Sequence, residues 1–372
     1  MPPISVMIKP ASSSCNLRCR YCFYHSLAKS REVESYGIMN IELLELIVRK
    51  TLEFADGYCT FAFQGGEPTL AGLDFYKNLV LFEKKYNTKN VRINNAFQTN
   101  GVLVDEEWAR FLSDNNFLVG LSLDGTKDVH DLNRMDATGE GSFKRVMNTV
   151  SLFNKHRVEY NILCVVNNNT AKHIIKIYEF FRKNNFKYIQ FIPCLDPLGE
   201  TPGGHEFSLT ADRFTNFLKT SFDLWYEDAM KGDGISIRYF DNLVSMLMGY
   251  RPEACGMAGQ CLCQFVIEAD GGVYPCDFYV TGEWFLGNIR DMGFYELKHC
   301  EKGRKFEDVS KHIDAKCKGC KWLNLCRGGC RRNREPFIDG RLALNYYCES
   351  YNEFFEYAYG RLRHLATIYS AR

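Results

Sequence analysis

Short apolar runs alternate along the chain with longer segments whose apolar positions recur at helical spacing. The runs lie at 5–9, 59–64, 91–98, 117–123, 158–166 and 188–195, and are rich in β-branched and aromatic side chains. Between them, 41–54, 73–85, 106–115, 142–156 and 171–184 carry apolar residues every three or four positions. Parallel strands need a crossover, and a helix after each strand supplies one, so the pattern predicts an α/β fold with a parallel sheet, a partial (β/α)6 barrel. A long amphipathic helix is expected at 209–231. Beyond Cys255 the pattern breaks into short hairpins and loops, and 347–371 reads as a closing helix with aromatic residues at helical spacing.

The segments just after the runs carry more information than the runs themselves. After the first comes CNLRCRYC from Cys15, after the second GGEP at 65–68, then TNG at 99–101, DG at 124–125, NNN at 167–169 and CLDP at 194–197. In barrels of this kind the active site is built from the loops at the carboxyl ends of the strands. The unusual residues of this half therefore gather at one mouth. The expected division is a barrel at 1–235, a cysteine-rich domain at 236–350 and a C-terminal helix at 351–372.

The 372 residues hold 46 Lys and Arg against 45 Asp and Glu, a net charge of +1. Such a balance gives no field for capturing nucleic acid or an anionic membrane. No apolar run approaches the ~18 residues of a membrane span. The expectation is a cytoplasmic protein with neither nucleic acid nor membrane as partner. Sixteen cysteines change the picture. In a chain long enough to fold without staples, in a reducing compartment, closely spaced thiols read as metal ligands. They divide unevenly: Cys15, Cys19 and Cys22 near the start, three scattered singles, and ten from Cys255 to Cys348.

Cys15-x3-Cys19-x2-Cys22 places three thiolates within eight residues. They suffice for three irons of a [4Fe–4S] cube, leaving the fourth open to a small molecule. A zinc site completed by His25 is the competing reading. In the second half, Cys261-x9-Gly271-x4-Cys276 is followed by Cys317-x2-Cys320-x5-Cys326-x3-Cys330 and Cys348, and Cys255 adds an eighth thiol. Eight ligands complete two cubes; a pair of zinc ribbons uses CxxC equally well. Cys59, Cys164, Cys194, Cys263 and Cys300 read as ordinary packing thiols. Arg327, Arg331, Arg332 and Arg334 read as a solvated face or as compensation for anionic clusters.

The first motif, with Tyr21 before its last cysteine and GGEP one strand later, resembles the radical S-adenosylmethionine (SAM) superfamily. The second set resembles the SPASM extension of those enzymes at every position. Nearly end to end, through stretches such as FAFQGGEPTLAGL, QFIPCLDP, VYPCDFYV and LNYYC, the chain resembles the anaerobic sulfatase-maturating enzymes. The resemblance implies oxidation of a cysteine, in some members also a serine, of a sulfatase polypeptide to Cα-formylglycine. SAM would be cleaved to methionine and 5′-deoxyadenosine. It further implies three [4Fe–4S] clusters, an unfolded or nascent substrate with a Cys-x-Pro-x-Arg type sequence, and an external low-potential electron donor. Other SPASM peptide maturases share the cluster motifs, and a non-catalytic iron–sulfur or zinc protein would share the cysteines.

Residue roles come from the same resemblance. Cys15, Cys19 and Cys22 would hold the SAM cluster. Cys255, Cys261, Cys276 and Cys330 would hold a second, and Cys317, Cys320, Cys326 and Cys348 a third. Tyr21 and Leu195 fall near the adenine; Gly65, Gly66 and Glu67 at the methionine ammonium; Ser122 at polar groups of SAM; Arg134 at its carboxylate. Tyr24 and Gln64 flank these loops as candidates to hold the substrate peptide. Asp277, directly after Cys276, is assigned as the base that takes the substrate thiol proton. Taken singly, Ser122 also reads as a strand-end cap, Arg134 as a surface partner of Asp131, and Asp277 as a loop acid.

Overall fold

The computed structural model describes residues 3–232, 234–338 and 340–370. In chain order its strands include β1 (Ile4–Ile8), β2 (Tyr58–Phe63), β3 (Arg92–Thr99), β4 (Leu118–Ser122), β5 (Tyr160–Val166), β6 (Tyr188–Pro193), β7 (Ser236–Ile237), β8 (Val266–Ile267), β9 (Gly272–Tyr274) and β10 (Gly287–Asn288). Each of the six apolar runs became a strand, with ends shifted by no more than two residues. Packing divides the chain into two units, one of 1–122, 134–160 and 263–306, the other of 123–133, 161–262 and 307–372.

In the first unit β1, β2, β3 and β4 lie side by side in that order, all parallel. On the free side of β1 the chain adds β8 in parallel, then β9 and β10 antiparallel. A segment from the cysteine-rich half thus extends the sheet of the first strands. The expected divisions at 235 and 350 follow the composition of the chain, whereas packing follows this strand pairing. Parallel strands covered by helices are apolar throughout, and Val6, Ile8, Phe61, Phe63 and Phe97 of the strands are buried, as are Leu43, Leu44, Ile47 and Leu79 of the helices. Tyr76 anchors that core, its ring edge-on to Phe63, Phe97 and Trp108 at 5.1–5.3 Å. Helix Ile41–Phe54 starts at Asn40, whose side chain accepts the Leu43 N–H as an N-cap.

In the second unit β5, β6 and β7 pair in parallel. The helix expected at 171–184 is broken at His173 into Asn168–Lys172 and Ile174–Lys183. Asn167 caps the first piece by accepting the Thr170 N–H, which starts it earlier than apolar spacing suggests. The predicted helices 209–231 and 347–371 form as Ala211–Lys231 and Cys348–Ser370. They pack on each other around Phe222, Phe240 and Phe354, with Arg361 bonded to Asp223 at 2.7 Å. Helices Phe23–Lys29 and Lys127–Asn133 escaped the sequence pattern because they are short, and Arg238–Leu247 was not anticipated either.

Candidate active site

In the first unit the loops that follow β1, β2 and β3 are knitted together by backbone and buried side chains. Gly66 lies so close to the backbone before Cys15 that a Cβ there would stand 2.0 Å from the Ser14 carbonyl oxygen. That same oxygen accepts the Glu67 N–H at 2.7 Å. Glu67 is fully buried, and its carboxylate accepts from the Thr69 N–H and hydroxyl, the Thr99 hydroxyl and the Asn100 N–H. Burial pushes its carboxyl above the usual range, and these donors pull it back. Asn100 in turn donates to Asn16 Oδ1 at 2.7 Å and approaches Cys15 Sγ at 3.8 Å. In this structure Glu67 serves as the clasp of the three loops.

Cys15, Cys19 and Cys22 therefore start from a held loop. The Cys15 thiol is pushed up to about 11 by burial, with the Leu17 N–H opposing. A cluster iron would displace that proton, since a ligating thiol is deprotonated. Tyr21 and Arg134 are both buried, with the guanidinium 5.5 Å from the ring centroid. Ser122, also buried, ends β4. Leu195 follows β6 in the second unit, half-buried. Buried Arg134 is thus no surface arginine, and His25, the candidate fourth zinc ligand, is exposed.

Asp277 is the centre of the polar site. It opens a short 3-10 turn after Cys276 and is buried. Its Oδ2 accepts the Tyr24 hydroxyl and, at 3.1 Å, Gln64 Nε2. Gln64 also donates to the Tyr24 oxygen at 2.6 Å. Burial, then the Asp277 charge, hold the Tyr24 phenol well above its ordinary value, so it remains a donor. Oδ1 faces Lys9 Nζ at 3.5 Å. Residues from four places in the sequence, 9, 24, 64 and 277, thus meet at one carboxylate. Sequence reasoning found three of them; Lys9 was missed, although it is a cation directly after an apolar strand.

In the second unit Cys317, Cys320, Cys326 and Cys348 line one cavity of about 420 Å³. That is many times the roughly 30 Å³ of a water and suits a group of several atoms. Cys326 is pushed up to about 11 by burial. Burial raises the Cys261 thiol and sends Cys330 up to about 12, and nearby Cys255 adds to both, with Cys261 adding to Cys330. Cys276 belongs to the first unit. Arg331, Arg332 and Arg334 are buried, which overturns the solvated-face reading of these three. Arg334 donates to the carbonyls of Ser310 and His312, and Ser310 Oγ accepts the Cys261 N–H. Cys59, Cys164 and Cys194 are packed in the core; Cys263 and Cys300 are half-buried.

Among the described residues no three His, Cys, Asp or Glu converge as one metal ion requires. A cube gives each thiolate its own iron and asks for no such convergence. The donor set, all sulfur with a shared cavity at 317–348, fits clusters of that kind.

Comparison with known proteins agrees. A family model described as the radical SAM superfamily matches residues 10–181, and one described as an iron–sulfur cluster-binding domain matches 255–321. The cysteine-type anaerobic sulfatase-maturating enzyme of Clostridium perfringens (strain ATCC 13124) is 55% identical, over 98% of this chain and 99% of that one. That of Clostridium novyi (strain NT) is 50% identical over 100% of both chains. Among solved structures, native anSMEcpe with bound AdoMet and Cp18Cys peptide superposes with a TM-score of 0.95 at 53% identity, covering 98% of this chain and 99% of that one.

Proposed function

Because the chain belongs to the anaerobic sulfatase-maturating enzymes of the radical SAM superfamily, we propose how its own residues carry out the oxidation of a sulfatase cysteine to Cα-formylglycine. SAM and its cluster, when bound at Cys15, Cys19 and Cys22, would supply the abstraction of a hydrogen atom from the substrate Cβ. The substrate thiol then gives up a proton and the substrate an electron, leaving a thioaldehyde that water converts to the aldehyde with release of sulfide.

The observation that supports this reading is the buried Asp277 carboxylate, held from three sides by Lys9, Tyr24 and Gln64 in the unit that also carries Cys15, Cys19 and Cys22. A carboxylate at hydrogen-bond reach of a thiol can accept its proton. Tyr24 and Gln64 orient that carboxylate and border the place where the peptide backbone would lie. Cys15, Cys19 and Cys22 would hold the cluster that binds SAM, with Tyr21, Gly65, Gly66, Glu67, Ser122 and Arg134 of the same unit shaping its pocket; for Leu195, in the second unit, the proposed role is toward the adenine. Arg134, buried against Tyr21, presents a planar cation suited to the SAM carboxylate. Cys255, Cys261, Cys276 and Cys330, and separately Cys317, Cys320, Cys326 and Cys348, would hold two further clusters, whose chemistry would be to accept the substrate electron. The count is three. The substrate is a sulfatase segment of Cys-x-Pro-x-Arg type in an unfolded or nascent chain; a low-potential external donor supplies the first electron, and the protein works in the cytoplasm. Among the described residues no helix is long and apolar enough to cross a membrane.

The test is direct. Anaerobically reconstituted protein is given SAM, a reductant and a Cys-x-Pro-x-Arg peptide, and both products are followed by mass spectrometry. Aldehyde peptide formed together with 5′-deoxyadenosine is expected. Deoxyadenosine without any change in the peptide, or a thioether in place of the aldehyde, would defeat the assignment.

A further inference from the structure

Lys9 has no solvent exposure, and an ammonium buried without compensation costs several kcal/mol. Its place is fixed by backbone: β1 runs parallel to β8, pairing Met7 with Val266 and Ile8 with Ile267, and the Lys9 N–H donates to the Ile267 carbonyl at 2.9 Å. That register brings Glu268 alongside Lys9. Nζ lies 3.9 Å from Glu268 Oε1 and 3.5 Å from Asp277 Oδ1, and Arg31 Nη1 meets the same Glu268 oxygen at 2.8 Å. The four side chains form a buried row of alternating charge, Arg31, Glu268, Lys9, Asp277.

Two details decide what the lysine is for. Glu268 already has a closer cation in Arg31, and Lys9 stands nearer to Asp277, so a strand-pinning ion pair does not account for it. The stem of Lys9 also fills the space beneath Gly65. A Cβ there would come within 2.9 Å of Lys9 Cγ and Cε, at a backbone φ of +104° that side chains rarely adopt. Nζ further sits 4.3 Å from the centroid of the Tyr24 ring, in cation–π range. The glycine loop, the phenol and the carboxylate thus share one cation.

We propose that Lys9 is a positioning residue for Asp277: its ammonium holds Oδ1, so that Oδ2, between Tyr24 and Gln64, is the oxygen offered to the substrate thiol. This rests on the reading of Asp277 as the base. Lys9, with no solvent exposure of its own, acts through that carboxylate.

The experiment is a double-mutant cycle on the reconstituted full-length enzyme, with wild type, Lys9→Met, Asp277→Asn and the double variant. Methionine keeps the stem beneath Gly65 and removes the charge. Aldehyde peptide and 5′-deoxyadenosine are measured together, with iron content and melting temperature as controls. Lys9→Met should lower aldehyde yield at least tenfold while deoxyadenosine persists, and should add nothing in the Asp277→Asn background, since residues acting as one unit are not additive. Equal loss in both backgrounds would overturn the proposal, as would near wild-type aldehyde from Lys9→Met beside an impaired Asp277→Asn, which leaves the base assignment standing. If Asp277→Asn itself retains wild-type yield, the base assignment falls and the proposal with it. Should Lys9→Met not load iron, Lys9→Gln is read in the same cycle; failure of both to load iron makes Lys9 a folding residue and overturns the proposal.

Discussion

A single carboxylate collects much of the chemistry of the first unit. Asp277 is fixed by donors to both oxygens, and removing its basicity while keeping its size should separate two steps that the wild type couples. In Asp277→Asn, formylglycine yield should fall by roughly 10²- to 10⁴-fold, the usual loss for a positioned acid–base group. Cleavage of SAM to 5′-deoxyadenosine should persist, because in the proposed assignment it draws on a cluster at Cys15, Cys19 and Cys22 and does not use Asp277. Mass spectrometry of both products, with iron content checked because Cys276 is adjacent, decides the matter. A second residue tests burial alone. Glu83 lies in helix Leu73–Tyr86, is buried, and is pushed from 4.5 up to about 7 by desolvation, with one hydrogen bond from Asn95 at 3.3 Å opposing. The folded state therefore binds its proton more tightly than the unfolded state. Stability from this group is complete below about pH 4.5, is lost as pH rises to about 7, and stays lost above. The penalty at pH 8 is on the order of 3 kcal/mol. Glu83→Gln should raise the melting temperature by several degrees at pH 8 and by much less at pH 5, in samples of equal iron content. Equal shifts at both pH values would show that the carboxyl titrates normally.

Elements place these residues. The loops after β1, β2 and β3 are held by Glu67 as the clasp and by Gly66 as the point of close approach. Gly66→Ala must move the backbone directly before Cys15, since its new Cβ would lie 2.0 Å from the Ser14 oxygen. The variant is expected to lose SAM cleavage by at least about tenfold, the size of a misplaced reactive geometry. Gly282→Ala, where a Cβ meets nothing within 4 Å, is the control and should behave as wild type. Deoxyadenosine counted per enzyme compares the two. An unimpaired Gly66→Ala would mean that the loop can yield at no cost.

At the scale of the molecule, the cysteines set a stoichiometry. Three cubes of four predict about twelve irons per chain in anaerobically prepared protein. Replacing Cys15, Cys19 and Cys22 together by Ala should remove about a third of the iron and abolish SAM cleavage, because fully ligated clusters have no open iron. Metal analysis of both proteins tests this. Stoichiometric zinc with little iron in protein made under anoxia would contradict it.

The strands, the long helices and the cysteine spacings were legible in the chain, because each depends on residues close in sequence: alternation and helical period for the elements, fixed intervals for ligands that share a loop. The glycines of GGEP were legible as a motif. Their reason was not, because the contact that forbids a side chain at 66 is with the backbone of residue 14, on a neighbouring loop. For Arg331, Arg332 and Arg334 the sequence left a solvated face and compensation of anionic clusters both open, since a run of charges carries no sign of what will cover it, and folding buried all three, which removes the first. The site at Asp277 shows the division most clearly. Tyr24, Gln64 and Asp277 could be named from motifs, but the pairing of β8 with β1 alone sets Lys9 beside Glu268 and Asp277, 259 and 268 residues further along the chain. Strand pairing between distant segments depends on which edge remains free after the local strands have paired, and only the tertiary structure decides that.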